Sequence, residues 1–226
     1  IICVFNEIKT IEDLLKKVLK VRYDYKINYE IIIIDNNSTD GTKKVISKFQ
    51  DNENIKIIFN KKNYGKGNSI IEGIKIARGK YIVFQDADLE YEPQNFNNLL
   101  NHLEKNKLDA VYGSRVKNNE KYAMYTINKK FVVFLTNIIN FFYNMNYTDT
   151  ATNHKMIKSS VLKKFNLISK SFAIDFEISI LLGKGRYKVD EIPINYFPRS
   201  YSQGKKININ DALKSLIITL IYLIKN

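Results

Sequence analysis

The chain opens on an uninterrupted apolar run, Ile1 to Phe5, too short for a helix and closed by Asn6 and Glu7, which predicts a buried strand. Ile11, Leu14, Leu15, Val18 and Leu19 then recur at three- and four-residue spacing behind Thr10, a residue suited to an N-cap, which predicts an amphipathic helix. Four consecutive isoleucines lie between Glu30 and Asp35. β-Branched side chains fit a pleated sheet better than a helix, so this run predicts a central strand. The alternation continues with a helix over 42–49, a strand over 55–59, a helix over 67–77, a strand over 81–86, a helix after Pro93 and a strand over 110–113. Strands that alternate with helices imply an α/β fold with a mostly parallel central sheet and helices on both faces.

After Ser114 the rhythm changes. A basic loop over 116–121 leads into an apolar helix over 128–143, then come a mixed region, a helix around 176–182, a strand over 187–194 and a last helix from Asp211. No Pro-, Ser- or Gly-rich linker separates the two parts, so a single domain over 1–226 is expected, its halves meeting at 114–115. The apolar stretches 131–143 and 212–224 are both interrupted by polar residues. Each falls short of the ~20 residues that span a bilayer.

Composition narrows the choices. With 45% hydrophobic and 26% charged residues a sizeable core can form, which excludes wholesale disorder. Cys3 is the only cysteine, excluding an intramolecular disulfide framework and a cysteine-rich zinc site, and the two histidines, His102 and His154, argue against a multi-histidine metal centre. The net charge of +13 points to anionic partners such as nucleic acid, phosphate esters or a lipid surface. Yet 31 of the 36 cations are lysines in a chain crowded with Ile and Asn, so part of the charge reflects coding bias. No signal-peptide pattern is visible, and the absence of an initiator Met leads us to expect a few preceding residues.

Candidate chemistry sits where predicted strands end, since parallel strands share one carboxyl edge and open α/β sheets bind ligands there. The fourth strand runs into Asp86-Ala87-Asp88-Leu89-Glu90, and extended alternation would place the three carboxylates in one row. Carboxylates without histidine or thiol suit a hard divalent cation, Mg²⁺ or Mn²⁺, that itself bridges to phosphates. Asp35, ending the second strand, could accept the ring N–H of a nucleobase, or simply begin the turn Asn36 to Thr42. Gly65-Lys66-Gly67 before a helix offers amides and a cation to a phosphate, although Ile70 stands where a dinucleotide fingerprint needs its third glycine.

Taken in order, Phe5-Asn6-Glu7, Asp35 to Thr42, Asn63 to Gly67, Asp86 to Glu90 and Tyr112 to Arg115 resemble the family 2 glycosyltransferases of GT-A fold, and within them the dolichol-phosphate (polyprenyl-phosphate) mannosyl- and glucosyltransferase branch. The likeness continues through Thr148-Asp149, Phe172 to Glu177, Glu191 to Ile194 and Arg199 to Ile207. The resemblance implies a nucleotide-sugar pocket lined by Phe5, Asn6, Glu7, Asp35, Lys66, Asp86 and Ala87, with Asp86, Asp88 and Glu90 toward the metal. It implies Arg115, Lys129 and Arg199 as cations for an acceptor phosphate. The chain departs from that branch at Glu90, where Gln is frequent, at Cys3, where Pro is usual, and at Lys129, where Arg is commoner.

The activity implied by this resemblance is an inverting, metal-dependent transfer of a hexose from a GDP-mannose- or UDP-glucose-class donor. A phosphate monoester has its second pKa near ~6, so a polyprenyl phosphate acceptor is ionised at neutral pH and needs positioning by cations rather than a general base. A saccharide hydroxyl, as in surface-polysaccharide synthesis, would need one, for which Asp175 or Glu177 is the candidate and His154 a weaker one. The resemblance also implies a peripheral place at the cytoplasmic face of a membrane, with lysines 129, 130, 205, 206 and 214 beside the two apolar helices. A nucleotidyltransferase is disfavoured because the loop after the first strand has no glycine. A nucleic-acid-binding module is supported by charge alone.

Overall fold

A computed structural model describes residues 1–117, 126–199 and 209–224, and side chains throughout these segments except at 126–129 and 209. Four parallel strands form one side of the sheet in the order β3 (Ile55–Phe59), β2 (Ile31–Asp35), β1 (Ile2–Val4), β5 (Gln85–Asp86). The other side has the order β4 (Tyr81–Val83), β7 (Lys155–Lys158), β6 (Ala110–Ser114), β8 (Val189–Pro193). β7 is antiparallel to both neighbours, while β6 and β8 are parallel. The predicted strand over 81–86 joins the two sides. Its Phe84 N–H donates to the Lys155 carbonyl at 3.3 Å and its Gln85 N–H to the Ile1 carbonyl at 3.0 Å. The α/β class and the mostly parallel sheet are therefore as expected, with one reversed strand that periodicity did not predict.

The isoleucine run explains how the sheet is held. Ile31 and Ile33 pack on one face with Ile11, Leu14 and Leu15 of α1 (Ile11–Leu19) and Ile46 of α2 (Thr42–Ser47). Ile32 and Ile34 pack on the other with Ile70 and Ile74 of α3 (Lys66–Ile76). Side chains alternate across a strand, so only a run apolar at every position can bury both faces. α4 (Asn95–Lys105) covers β6 and β7 through Phe96, Leu99 and Leu103. α5 (Thr126–Tyr143), α7 (Ile174–Lys184) and α8 (Ile209–Ile224) pack together on the face that carries α3, and α6 (Ser159–Leu162) is a single turn after β7.

Two local expectations change. Thr10 occupies the N-cap position of α1 as expected, but its side chain makes no capping bond; its hydroxyl lies instead within hydrogen-bond distance of the Ala87 carbonyl (2.7 Å) and Glu7 Oε2 (3.0 Å), tying the helix start to the ends of β1 and β5. The row Asp86, Asp88, Glu90 is not extended either. Leu89 takes a left-handed φ of 64°, so the chain turns after Asp88 and the alternation argument fails there.

Candidate active site

The strand ends open into a cavity of about 1240 Å³. Its floor is polar, from Glu7, Asn36, Lys66, Asp86 and Asp88, and α5 and α8 supply an apolar wall that includes Phe131, Val132, Leu213 and Ile217. Sheet register assembles the floor: Val4 pairs with Asp35 and Cys3 with Asp86, so β1 carries a carboxylate on each flank at adjoining levels.

Asp35 is fully buried, and the next residue, Asn36, reaches the cavity wall. One Asp35 oxygen accepts the Ser38 amide at 3.0 Å, which is the turn role, while Oδ1 has no protein partner. A buried acceptor without a donor costs stability, so a ligand N–H is a natural complement. Asn6, in left-handed backbone (φ 51°), donates its amide to Ser38 Oγ at 2.8 Å and accepts from the Thr39 amide at 2.8 Å. It thus clamps the end of β1 to the loop after β2.

Lys66 begins α3 and turns inward. Its Nζ lies 3.0 Å from Asp86 Oδ1, 3.5 Å from Asp175 Oδ2 and over the Phe172 ring. The flanking glycines serve the protein rather than a phosphate. A Cβ on Gly65 would stand 2.1 Å from the Lys170 carbonyl oxygen, one on Gly67 2.2 Å from that of Ser169, and the Gly67 amide already donates to Lys170. Of the expected phosphate loop, Gly65 and Lys66 line the cavity, and Lys66 brings the cation.

Asp88 is held from the other side. Arg199 makes a two-pronged pair with Glu7 at 2.9 and 3.1 Å and reaches Asp88 Oδ2 at 3.1 Å. Its amide donates to Glu90 Oε1 at 2.8 Å, and the Tyr196 hydroxyl donates to Glu90 Oε2. Arg199 therefore sits on three carboxylates rather than waiting free for an acceptor phosphate. Burial, with Asp86 and Glu90 adding to it and Arg199 opposing, pushes the Asp88 carboxyl up to about 7.

Among the described residues no three His, Cys, Asp or Glu gather closely enough to hold a metal ion, so the expected three-carboxylate set is not formed. Glu90 is instead committed to Tyr196 and Arg199. A magnesium site needs less, since the ion is usually held by one or two carboxylates plus substrate phosphates. Asp86 and Asp88, with crowded negative charge at Asp88, fit that smaller requirement.

Arg115 is also engaged. It is 7% exposed, its Nε and Nη2 donate to both oxygens of Asp149 at 2.7 and 2.8 Å, and its guanidinium lies over the Tyr196 ring. Asp149 in turn is placed by Glu191, which accepts the Asp149 and Thr148 amides at 3.1 and 2.8 Å. The side chain of Lys129, like Lys205 and Lys206, lies outside the described residues. Phe5, Glu7 and Ala87 line the cavity, whereas Asn6 and Asp35, expected beside them, are not among its lining residues.

The candidate bases fare differently. Glu177 accepts the Ile168 and Ser169 amides and the Tyr222 hydroxyl, each at 2.8 Å, and is fully buried. That is a structural role. His154 is stacked between Tyr91 and Phe96 with neither ring nitrogen hydrogen-bonded, and burial drives it down to about 3. Asp175 lines the cavity between Lys66 and Lys155. Lys155 was not foreseen, because one lysine among 31 carries no periodic signal; Tyr196 was missed although it lies three residues before Arg199.

Fold and site together define an α/β domain with a charged cavity at the carboxyl edge of its parallel strands. The glycosyl transferase family 2 profile matches residues 1–168, and the chain belongs to that family. Among curated proteins it is 30% identical over 224 residues to an uncharacterised protein of Methanocaldococcus jannaschii, covering 92% of this chain and 93% of the relative. It is 30% identical over 196 residues to a dolichyl-phosphate beta-glucosyltransferase of Dictyostelium discoideum, covering 78% of this chain but 58% of that protein's length. Among solved structures, glucosyl-3-phosphoglycerate synthase from Mycobacterium tuberculosis, in complex with Mn²⁺, UDP and phosphoglyceric acid, superposes with a TM-score of 0.72 over 98% of this chain and 76% of that one, at 13% identity. This likeness establishes the GT-A fold. The chain is a nucleotide-sugar-dependent glycosyltransferase.

Proposed function

We propose that the protein transfers a hexose, with inversion, from a nucleotide sugar to a polyprenyl or dolichyl phosphate. The observation that carries this reading is the cavity itself: a charged floor at the strand ends faces an apolar wall built from α5 and α8. A phosphate headgroup on an isoprenoid chain matches both surfaces at once. The fate of the bases supports it. Glu177 and His154 are committed to structure, and Asp175 is shared between two lysines, which suits an acceptor already ionised.

In this reading Asp35 Oδ1 accepts the base N–H, and Asn6 and Glu7 shape the pocket beside it. Asp86 and Asp88 hold a divalent cation, Mn²⁺ or Mg²⁺, which supplies positive charge against the departing nucleoside diphosphate. Lys66 adds a second positive charge on the same floor. Arg115, Lys129 and Arg199 are proposed for the acceptor phosphate; the first and third would have to exchange carboxylate partners for phosphate oxygens, which match a guanidinium equally well.

No described helix is long and apolar enough to cross a membrane. Phe134, Phe141 and Phe142 of α5 and Leu213, Leu220 and Ile224 of α8 are exposed, Phe141 and Ile224 by more than 80%. Such faces suit interfacial docking at the cytoplasmic side of a membrane. A second reading, transfer to a saccharide hydroxyl with Asp175 as base, draws on a 37% identity over 116 residues to the poly-beta-1,6-N-acetyl-D-glucosamine synthase of Staphylococcus epidermidis.

The deciding assay combines purified protein, Mn²⁺ or Mg²⁺, labelled UDP- and GDP-sugars, and either polyprenyl phosphate or soluble saccharides. Label entering the organic phase, and lost with chelator, is the expected result. Label entering only saccharide overturns the lipid-phosphate assignment.

A further inference from the structure

Four charged groups alternate in sign across the buried floor of the cavity: Asp86, Lys66, Asp175, Lys155. Lys66 Nζ bridges Asp86 at 3.0 Å and Asp175 at 3.5 Å, and Lys155 Nζ lies 3.8 Å from the other Asp175 oxygen. The lysines are 10% and 0% exposed at the side chain, and Asp175 is 5%. Each comes from a different element: Asp86 from β5, Lys66 from the start of α3, Asp175 from the first turn of α7 and Lys155 from β7.

The far end of the chain of charges is anchored. Lys155 donates to the Thr150 carbonyl at 3.0 Å and to the Thr152 carbonyl, and its ammonium lies 4.8 Å from the Tyr112 ring centre. Those carbonyls fix its ammonium, which stands 3.8 Å from Asp175 Oδ1, close enough to attract that oxygen without a hydrogen bond. Asp175 also sits where a helix N-terminus favours an anion. The other oxygen is left to Lys66, whose remaining contacts are Asp86 and the face of Phe172.

We propose that Asp175 is a positioning residue, not a general base: fixed by Lys155, it holds the Lys66 ammonium against Asp86, so that Lys66 faces the diphosphate of the nucleotide sugar. A base must reach the proton it removes and have a lone pair free for it. Asp175 has a cation on either side, at 3.5 and 3.8 Å; its Oδ1 accepts no hydrogen bond but is buried toward the anchored Lys155, and the group Asp175 orders is the one on the donor side of the cavity. Burial holds its carboxyl above the ordinary carboxylate range and the two lysines offset only part of that, so the charged form depends on those partners. Lys155 itself is lowered to about 8, burial outweighing Asp175 and Asp149.

The positioning role rests on the nucleotide-sugar reading and is tested apart from it. UDP and GDP binding with Mn²⁺ is measured by calorimetry, alongside steady-state transfer, for wild type, Asp175→Asn, Lys66→Met and the double variant. The expected result is an about tenfold loss of nucleotide affinity and a matching rise in donor KM in each single variant, with kcat within about threefold. The double variant should be no worse than either single, because the two act as one unit. Asp175→Glu should recover part of the loss, and Lys66→Met, which leaves the Lys155–Asp175 pair intact, guards against a variant that merely fails to fold. A kcat fall of about 100-fold or more in Asp175→Asn at unchanged KM would make it a base and overturn the inference, as would additive losses in the double variant. If wild type binds neither nucleotide and transfers no sugar, the nucleotide-sugar reading falls and the positioning role with it.

Discussion

Asp86 ends β5 and Asp88 stands two residues later in the turn that follows, yet they are held in opposite ways. Asp86 faces a lysine set into the start of a helix and backed by two more buried charges from α7 and β7. Asp88 faces Arg199, which arrives on the segment after β8 and is attached through Glu7, Glu90 and the Tyr91–Tyr196 bridge. The first arrangement cannot move without disturbing the core. The second rests on one short segment, joined through side chains and a single isolated bridge. A cation that must stay with the donor is best placed on the first kind of support, and one that must change partners as substrates come and go on the second.

The largest expected effect tests what supports the Arg199 side. Arg115 stacks on Tyr196 while neutralising fully buried Asp149. Arg115→Met strands that carboxylate, and denaturant unfolding should show a loss of about 3–5 kcal/mol. Unchanged stability with only a raised acceptor KM would mean that the arginine is free for phosphate in solution. Next, Asp88→Ala is expected to reduce transfer by more than about 100-fold, read as label reaching the organic phase. Full activity would exclude Asp88 from the cation site.

His154 gives a smaller effect of definite sign. It stacks on Tyr91, which pairs with Tyr196, and burial lowers it from 6.5 to about 3. The unfolded chain therefore binds a proton that the folded chain refuses between those values. Stability is complete above pH 6.5 and falls as pH drops toward 3, by up to about 1.4 kcal/mol per pH unit from this group. His154→Phe keeps the stack and should flatten that slope; an unchanged slope would assign the acid sensitivity elsewhere. The smallest effect separates the two supports directly. Without nucleotide, Arg199→Gln removes a cation that competes for Asp88, so Mn²⁺ affinity should rise by about tenfold, close to 1.4 kcal/mol. Weaker Mn²⁺ binding in that variant would show that Arg199 organises the carboxylates rather than competing for them.

Most of the sheet was legible in the isoleucine and valine runs, because a strand buried on both faces has to be apolar at every position. β7 was not, since Lys155-Met156-Ile157-Lys158 has a lysine at each end and one of them is buried by tertiary contacts alone. Asp35 and Asp86 could be placed at strand ends from pattern alone. Their neighbours could not, because the turn at Leu89 breaks the alternation that would have carried Glu90 to a metal. The resemblance singled out Arg115 and Asp149 separately and said nothing about their pairing across 34 residues.

By itself, the sequence determined the order of most elements, the acidic strand ends and the family, all properties of local pattern and motif order. Only the tertiary structure decided which charge faces which. Ion pairs between β5, α3, α7, β7 and the segment after β8 depend on distances that no local pattern encodes. In a low-dielectric interior, those distances decide whether a carboxylate acts as a ligand, a base or a strut.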